Sequence, residues 1–185
     1  MSKFFICNIL FGFLVGCAGH SKREPLWEHQ NGNHIKLSSL HADFFFVAFV
    51  YTSCQGICPM TISHLRKLES KLENKRPNNG SFKIILFTIE PHIDTPSRRI
   101  EYLKNQGVNP SQRWLFLRAS IEQTRHLAQR LKTTFADRNG PGHIMHTFRI
   151  MALDSQFQFL EELSDINSPQ IDLLVKKIEA PPSAK

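Results

Sequence analysis

Near-continuous apolar runs at 44–51 (FFFVAFVY) and 82–89 (FKIILFTI) are rich in β-branched and aromatic residues. Each predicts a strand buried on both faces. Between them Met60, Ile62, Leu65, Leu68 and Leu72 recur at helical spacing and predict a helix over 59–72, with Pro59 suited to its first turn. The pattern continues with helices over 96–105 and 121–135, a short strand at 114–117, and a strand at 147–153 that forms a hairpin with 157–163. A last helix is expected over 170–178, before a polar tail that begins at Pro181-Pro182. Asn31-Gly32, inside 27–40, marks a turn between two short strands. Asn78-Asn79-Gly80 and Gly140-Pro141-Gly142 mark loops. Strands that alternate with helices predict an α/β sandwich whose parallel crossovers are right-handed. No internal repeat is visible.

Composition narrows this. The 185 residues, 41% apolar and 21% charged with fifteen Phe, suit one globular domain and exclude a disordered chain. The net charge of +7 is scattered, and its densest groups are pairs such as Arg98-Arg99 and Lys176-Lys177, so no nucleic-acid stripe forms. The N-terminus reads as an address. Met1-Ser2-Lys3 is a short positive segment and 4–15 is apolar, too short for the roughly 20 residues of a spanning helix. Leu14-Val15-Gly16-Cys17 resembles the bacterial lipobox, in which the chain is cut before a cysteine that carries lipid. The expected organisation is a signal peptide at 1–16, a lipidated tether at 17–25 anchored through Cys17, one domain at 26–179 and a tail at 180–185. Such a chain is extracytoplasmic and membrane-anchored, facing the periplasm in a Gram-negative bacterium. Ala18 after the lipidated cysteine weakly favours outer-membrane sorting there.

Four cysteines then reduce to two. Cys7 leaves with the signal and Cys17 carries lipid, so Cys54 and Cys58 remain as thiols. A disulfide closing so short a loop constrains little chain entropy, which points to a reactive or metal-binding pair rather than a staple. Their place between a buried strand and the following helix is the thioredoxin arrangement. There, the helix N-terminus favours thiolates, the form that attacks disulfides and binds metals.

Three segments carry a specific resemblance. VAFVYTSCQGICPMTISHL, FKIILFTIEPHIDTP and GHIMHTFRIMALD occur in that order. They resemble the Cys-x-x-x-Cys-Pro segment, the second strand with its Asp-Thr-Pro loop, and the histidine loop of the SCO/SenC family. The resemblance implies a thioredoxin-like sandwich with a central mixed β-sheet flanked by helices, plus an N-terminal β-hairpin. It implies a copper chaperone for cytochrome c oxidase assembly, with Cys54, Cys58 and His146 as copper ligands. The partner it implies is the copper A site of oxidase subunit II or another copper-site protein. The chain is expected to be a monomer and a carrier rather than an enzyme. The alternative is a thiol–disulfide oxidoreductase that, through the same Cys54 and Cys58, reduces the oxidase copper-site cysteines or serves redox homeostasis. The chemistry agrees: thiolates suit soft copper(I), and imidazole suits copper in either oxidation state. Zinc is the rival, but a structural zinc site wants four ligands where three can be named.

Two positions depart from the family. Met145 stands where an Asp commonly precedes the histidine, and Gln55 where a Pro commonly follows the first cysteine. His143 is the rival to His146, which alignment with the strand start favours. A peroxiredoxin-type site needs Thr three residues before its cysteine, where this chain has Tyr51. Asp94-Thr95-Pro96 reads as a helix cap near the thiol end of the sheet. Phe49, Tyr51 and 44–46 read as core, and His20, His29, His34 and His41 as solvated surface.

Overall fold

The 44–51 run becomes strand β3 (Phe44–Val50), with every residue after Phe44 buried. It is the middle strand of a five-stranded mixed sheet ordered β5-β4-β3-β8-β9. In this computed structural model the described residues are 24–75, 81–110, 113–137, 144–146 and 148–163. β3 runs parallel to β4 (Phe82–Thr88), and β4 parallel to β5 (Trp114–Leu117). β8 (Ile150–Asp154) is antiparallel to β3, and β9 (Phe159–Leu163) closes the other edge. Helices α1 (Ile57–Lys75), α2 (Pro96–Asn105) and α3 (Ile121–Arg130) make the connections. Parallel strands with helical crossovers are covered on both faces, which is why β3 and β4 read as apolar runs rather than alternating ones.

The N-terminal hairpin, β1 (Leu26–Glu28) and β2 (His34–Lys36), turns at Gly32, whose φ of +89° favours glycine. It shields the β5 edge. Glu28 exchanges backbone hydrogen bonds with Arg118, and the Gln30 amide donates to the Trp114 carbonyl while accepting from the Phe116 N–H. An exposed row of ladder groups is thereby satisfied. Arg99 of α2, fully buried, locks this joint. Its guanidinium donates to the carbonyls of Glu28, His29 and Phe116 and pairs with the Glu28 carboxylate. Burial lowers its pKa to about 10 despite the Glu28 charge.

Four expectations shift. α1 starts at Ile57 rather than 59, which takes Cys58 into its first turn and leaves Pro59 third. α3 stops at Arg130 instead of 135: Lys132 adopts φ +54°, and Phe135 opens strand β6 (Phe135–Asp137). The strand expected at 147–153 begins at Ile150, as β8, and ahead of it an unexpected strand, β7 (Ile144–His146), pairs with β6 in a separate two-stranded sheet. β9 begins at Phe159 because Phe157 sits in the turn at φ +58°. The expected leader at 1–16, Cys17, His20, His143 and the helix at 170–178 lie outside the described residues. No helix among the described residues is long and apolar enough to cross a membrane.

Candidate metal centre

β3 ends where the Cys54 loop begins, so the thiol pair stands at the carboxyl end of the sheet's middle strand. Cys54 precedes α1 and Cys58 lies in its first turn. Neither is joined in a disulfide; Cys54 is 9% exposed and Cys58 fully buried. The Cys58 backbone N–H donates to Cys54 Sγ at 3.4 Å. The helix N-terminus therefore directs an N–H at the first sulfur, as the strand–loop–helix pattern requires.

The two sulfurs are unequal. Burial works against the Cys54 thiolate. Hydrogen bonds from the Cys58 thiol, the Cys58 and Gly56 N–H groups and the Tyr51 hydroxyl outweigh it, and its pKa falls below the ordinary thiol value. Burial, and then the hydrogen bond to Cys54, push the Cys58 thiol well up. Tyr51 is pushed up to about 12 by burial and by the neighbouring thiols, so it remains a hydroxyl donor. The expectation that the helix end favours both thiolates holds for Cys54 and not for Cys58, whose deeper burial decides its case.

The loop that carries Cys54 is clamped from the β4–α2 connection. Asp94, fully buried, accepts from the Thr52 N–H at 3.2 Å and from the hydroxyls of Thr52 and Thr88. Burial raises its pKa, and the two threonines pull it back. Glu90 accepts from the Ser53 hydroxyl at 2.9 Å. Thr95, the next residue, caps α2 by accepting from the Arg98 N–H, with Pro96 at the first helical position. The Asp-Thr-Pro segment thus divides its work: Thr95 caps the helix and Asp94 fixes the residues leading to the thiols. Thr52, Ser53 and Glu90 were not singled out from sequence. Two hydroxyl residues before the first cysteine, and two acids four positions apart after β4, were the available signal.

His146 ends β7, opposite Phe135 of β6. The hairpin is held to the thiol end: the Phe135 and Phe49 rings lie 6.3 Å apart, and the Tyr51 hydroxyl oxygen lies 3.5 Å from the Ile144 carbonyl oxygen. The backbone two residues before His146 therefore contacts the same tyrosine that bonds Cys54. The side chains of Met145 and His146 lie outside the described residues. Among the described residues no three His, Cys, Asp or Glu side chains converge on one point. Phe49 and Tyr51 are core as expected; His34 and His41 are exposed, and His29 is half-buried, with its pKa lowered first by burial. Two adjacent sulfurs, one primed as a thiolate, suit a soft metal ion or a two-electron thiol–disulfide cycle.

Known proteins agree with this architecture. The SCO1 protein homolog of Bacillus subtilis is 22% identical over 195 aligned positions that cover 99% of this chain and 98% of its own. The crystal structure of yeast Sco1 with copper bound superposes with a TM-score of 0.71 at 21% identity, covering 86% of this chain and 88% of that one. BsSco, described as a member of the Sco family of cytochrome c oxidase assembly proteins with a disulfide switch, superposes with a TM-score of 0.71 at 21% identity, covering 87% and 92%. At these identities the structures establish the thioredoxin-like fold. The SCO1/SenC family model matches residues 26–180, which takes in the hairpin, the sheet and the thiol loop, and the chain belongs to the SCO1/SenC family.

Proposed function

We propose that this protein is a copper metallochaperone that carries copper as cargo on Cys54, Cys58 and His146 and delivers it to the copper A site of cytochrome c oxidase subunit II. The observation that supports it best is the thiol pair itself: two buried sulfurs with a helix N–H on one of them, facing the end of the molecule where the His146 hairpin is tied down. Two thiolates and a neutral imidazole are a soft, low-coordinate set that holds copper(I) and leaves room for an acceptor's ligand. Copper-bound yeast Sco1 and the oxidase-assembly role stated for BsSco are in keeping with this reading. Cys17 anchors the chain by lipid to the outer side of a membrane, as a monomer.

The inequality of the thiols favours a second activity on the same atoms. The Cys54 thiolate attacks a partner disulfide, forms a mixed disulfide and releases one partner thiolate. Cys58 then gives up its proton and attacks Cys54 Sγ. The Cys54–Cys58 disulfide closes, the second partner sulfur leaves, and two electrons have passed to the partner. Such a step readies an oxidised copper-site acceptor. It also excludes copper, because a disulfide has no thiolate to offer.

The test is titration of the reduced mature protein with copper(I) and copper(II), followed by transfer to an oxidase copper-site domain. Cys54→Ser and Cys58→Ser each abolish tight binding of both ions. His146→Ala weakens copper(II) more than copper(I), since two thiolates alone hold copper(I) nearly linearly. Equal loss of both ions in His146→Ala removes His146 from the ligand set; undiminished binding in either serine variant overturns the site.

A further inference from the structure

The backbone at His146 runs between two contacts with the elements that carry the thiols. Two residues before it, the Ile144 carbonyl oxygen lies 3.5 Å from the hydroxyl of Tyr51, which ends the approach to Cys54. Two residues after it, the Phe148 ring meets the imidazole of His64, on the helix whose first turn holds Cys58. The ring centres are 5.2 Å apart and the planes stand at 87°. In that edge-to-face arrangement the positive rim of one ring meets the negative face of the other.

His64 is not part of the stripe that α1 turns into the core. That stripe is Ile62, Leu65, Leu68 and Leu72, all buried. His64 stands beside it, half-buried, in a row with Ile57 and Thr61 that leads along one flank to the thiol turn. Phe148 belongs neither to β7, which ends at His146, nor to β8, which begins at Ile150. Among the described residues no ladder pair forms between those two strands, so side chains must fix the chain there. Arg149 ties it towards the sheet, through the Glu162 carboxylate and the Lys132 carbonyl. Phe148 ties it to the thiol helix.

We propose that His64 is a positioning residue for His146: through Phe148, its ring latches the segment after His146 to the helix that carries Cys58. This rests on the reading of His146 as a copper ligand. A donor on a mobile segment meets the metal only in the fraction of molecules that hold it in place, and apparent affinity falls with that fraction. The latch therefore serves copper(II), which calls on the imidazole, more than copper(I), which two thiolates hold alone.

The experiment uses the full chain, purified in detergent and reduced, titrated with copper(I) and with copper(II). His64→Ala and Phe148→Ala each lower copper(II) affinity about two- to tenfold, the range of one edge-to-face ring pair, and leave copper(I) affinity unchanged. The double variant is no weaker than either single one, because both remove the same contact. His64→Phe, which keeps a ring against Phe148 without a ring nitrogen, restores copper(II) binding. A second readout needs no metal. In the copper-free protein the order parameter of the His146 amide drops below the rigid-backbone value of about 0.85 in both alanine variants, and recovers in His64→Phe. Equal loss of both ions, in step with lost stability to urea, makes the pair ordinary packing and overturns the proposal. So does an unmoved His146 amide. Failure of His64→Phe to restore copper(II) overturns it too, since the imidazole of His64 is then needed for itself. His146→Ala reports separately on the ligand reading. A copper(II) loss there no greater than the copper(I) loss removes His146 from the ligand set, and the latch then stands or falls on the amide alone.

Discussion

Cys54 Sγ accepts hydrogen bonds from the Cys58 N–H and the Tyr51 hydroxyl, whereas Cys58 is enclosed and gives its own proton towards Cys54. The thiolate, not the thiol, reacts with alkylating agents. Alkylation of the reduced protein, resolved by peptide mass against pH, therefore modifies Cys54 first, with a midpoint below the ordinary thiol value of 9.0, and Cys58 only at higher pH. The sign follows from the causes: hydrogen bonds to the charged form lower one pKa, and burial raises the other. Tyr51→Phe removes one of the donors to Cys54 and moves its midpoint up while leaving the aromatic packing. The reverse order of modification contradicts the assignment of Cys54 as the attacking sulfur.

Two joints between elements decide whether this environment exists. The first is the Asp94 clamp, where Asp94→Ala leaves the Thr52 N–H and two threonine hydroxyls without their acceptor. A buried unmet donor costs about 1–3 kcal/mol, so urea unfolding is expected to lose about 3 kcal/mol and copper affinity to fall with it. Asp94→Asn, which keeps an acceptor oxygen and the shape, restores most of both. The second joint is Arg99, which ties α2 to β1 and the β5 edge. Breaking a buried ion pair costs about 3–5 kcal/mol; Arg99→Met belongs at the lower end because Glu28 keeps its contact with Arg118. Neither joint was legible along the chain, since Thr52 and Asp94 are 42 residues apart and Arg99 and Glu28 71. The strands of the parallel sheet were legible because burial on both faces leaves a continuous apolar run. The end of α3 was not. Leu127, Leu131 and Phe135 keep a four-residue spacing past Arg130, so the pattern runs on, while the chain turns at Lys132 and Phe135 leaves to pack on Phe49. The strand that ends at His146 was not legible either: the apolar pattern pointed to a strand at 147–153, and only pairing with β6 makes 144–146 a strand of its own.

For the whole molecule, the proposed copper site sets copper and the disulfide in competition for the same two sulfurs, and folding stability reports the outcome. A ligand that binds only the folded state at a thousandfold excess over its Kd adds about 4 kcal/mol, roughly 10 °C in Tm for a chain of this size. Copper(I) is expected to raise the Tm of the reduced protein by that order and to leave the oxidised protein unmoved. A copper-induced shift that survives oxidation places the ion somewhere other than Cys54 and Cys58.

The proposed donors also belong to two different ladders. Cys54 and Cys58 follow the middle strand of the five-stranded sheet, whereas His146 ends a hairpin of three register pairs outside that sheet. Short ladders open locally at small free energy, and central strands exchange only when the molecule unfolds. In hydrogen–deuterium exchange, the amides of β6 and β7 therefore run ahead of those of β3 and β4 by orders of magnitude. Copper release then has a clock of its own. A core substitution such as Leu65→Ala, which costs about 2–5 kcal/mol, hastens unfolding without altering the copper off-rate, whereas Phe135→Ala, which frees the hairpin from Phe49, hastens the off-rate and leaves the sheet's exchange unchanged.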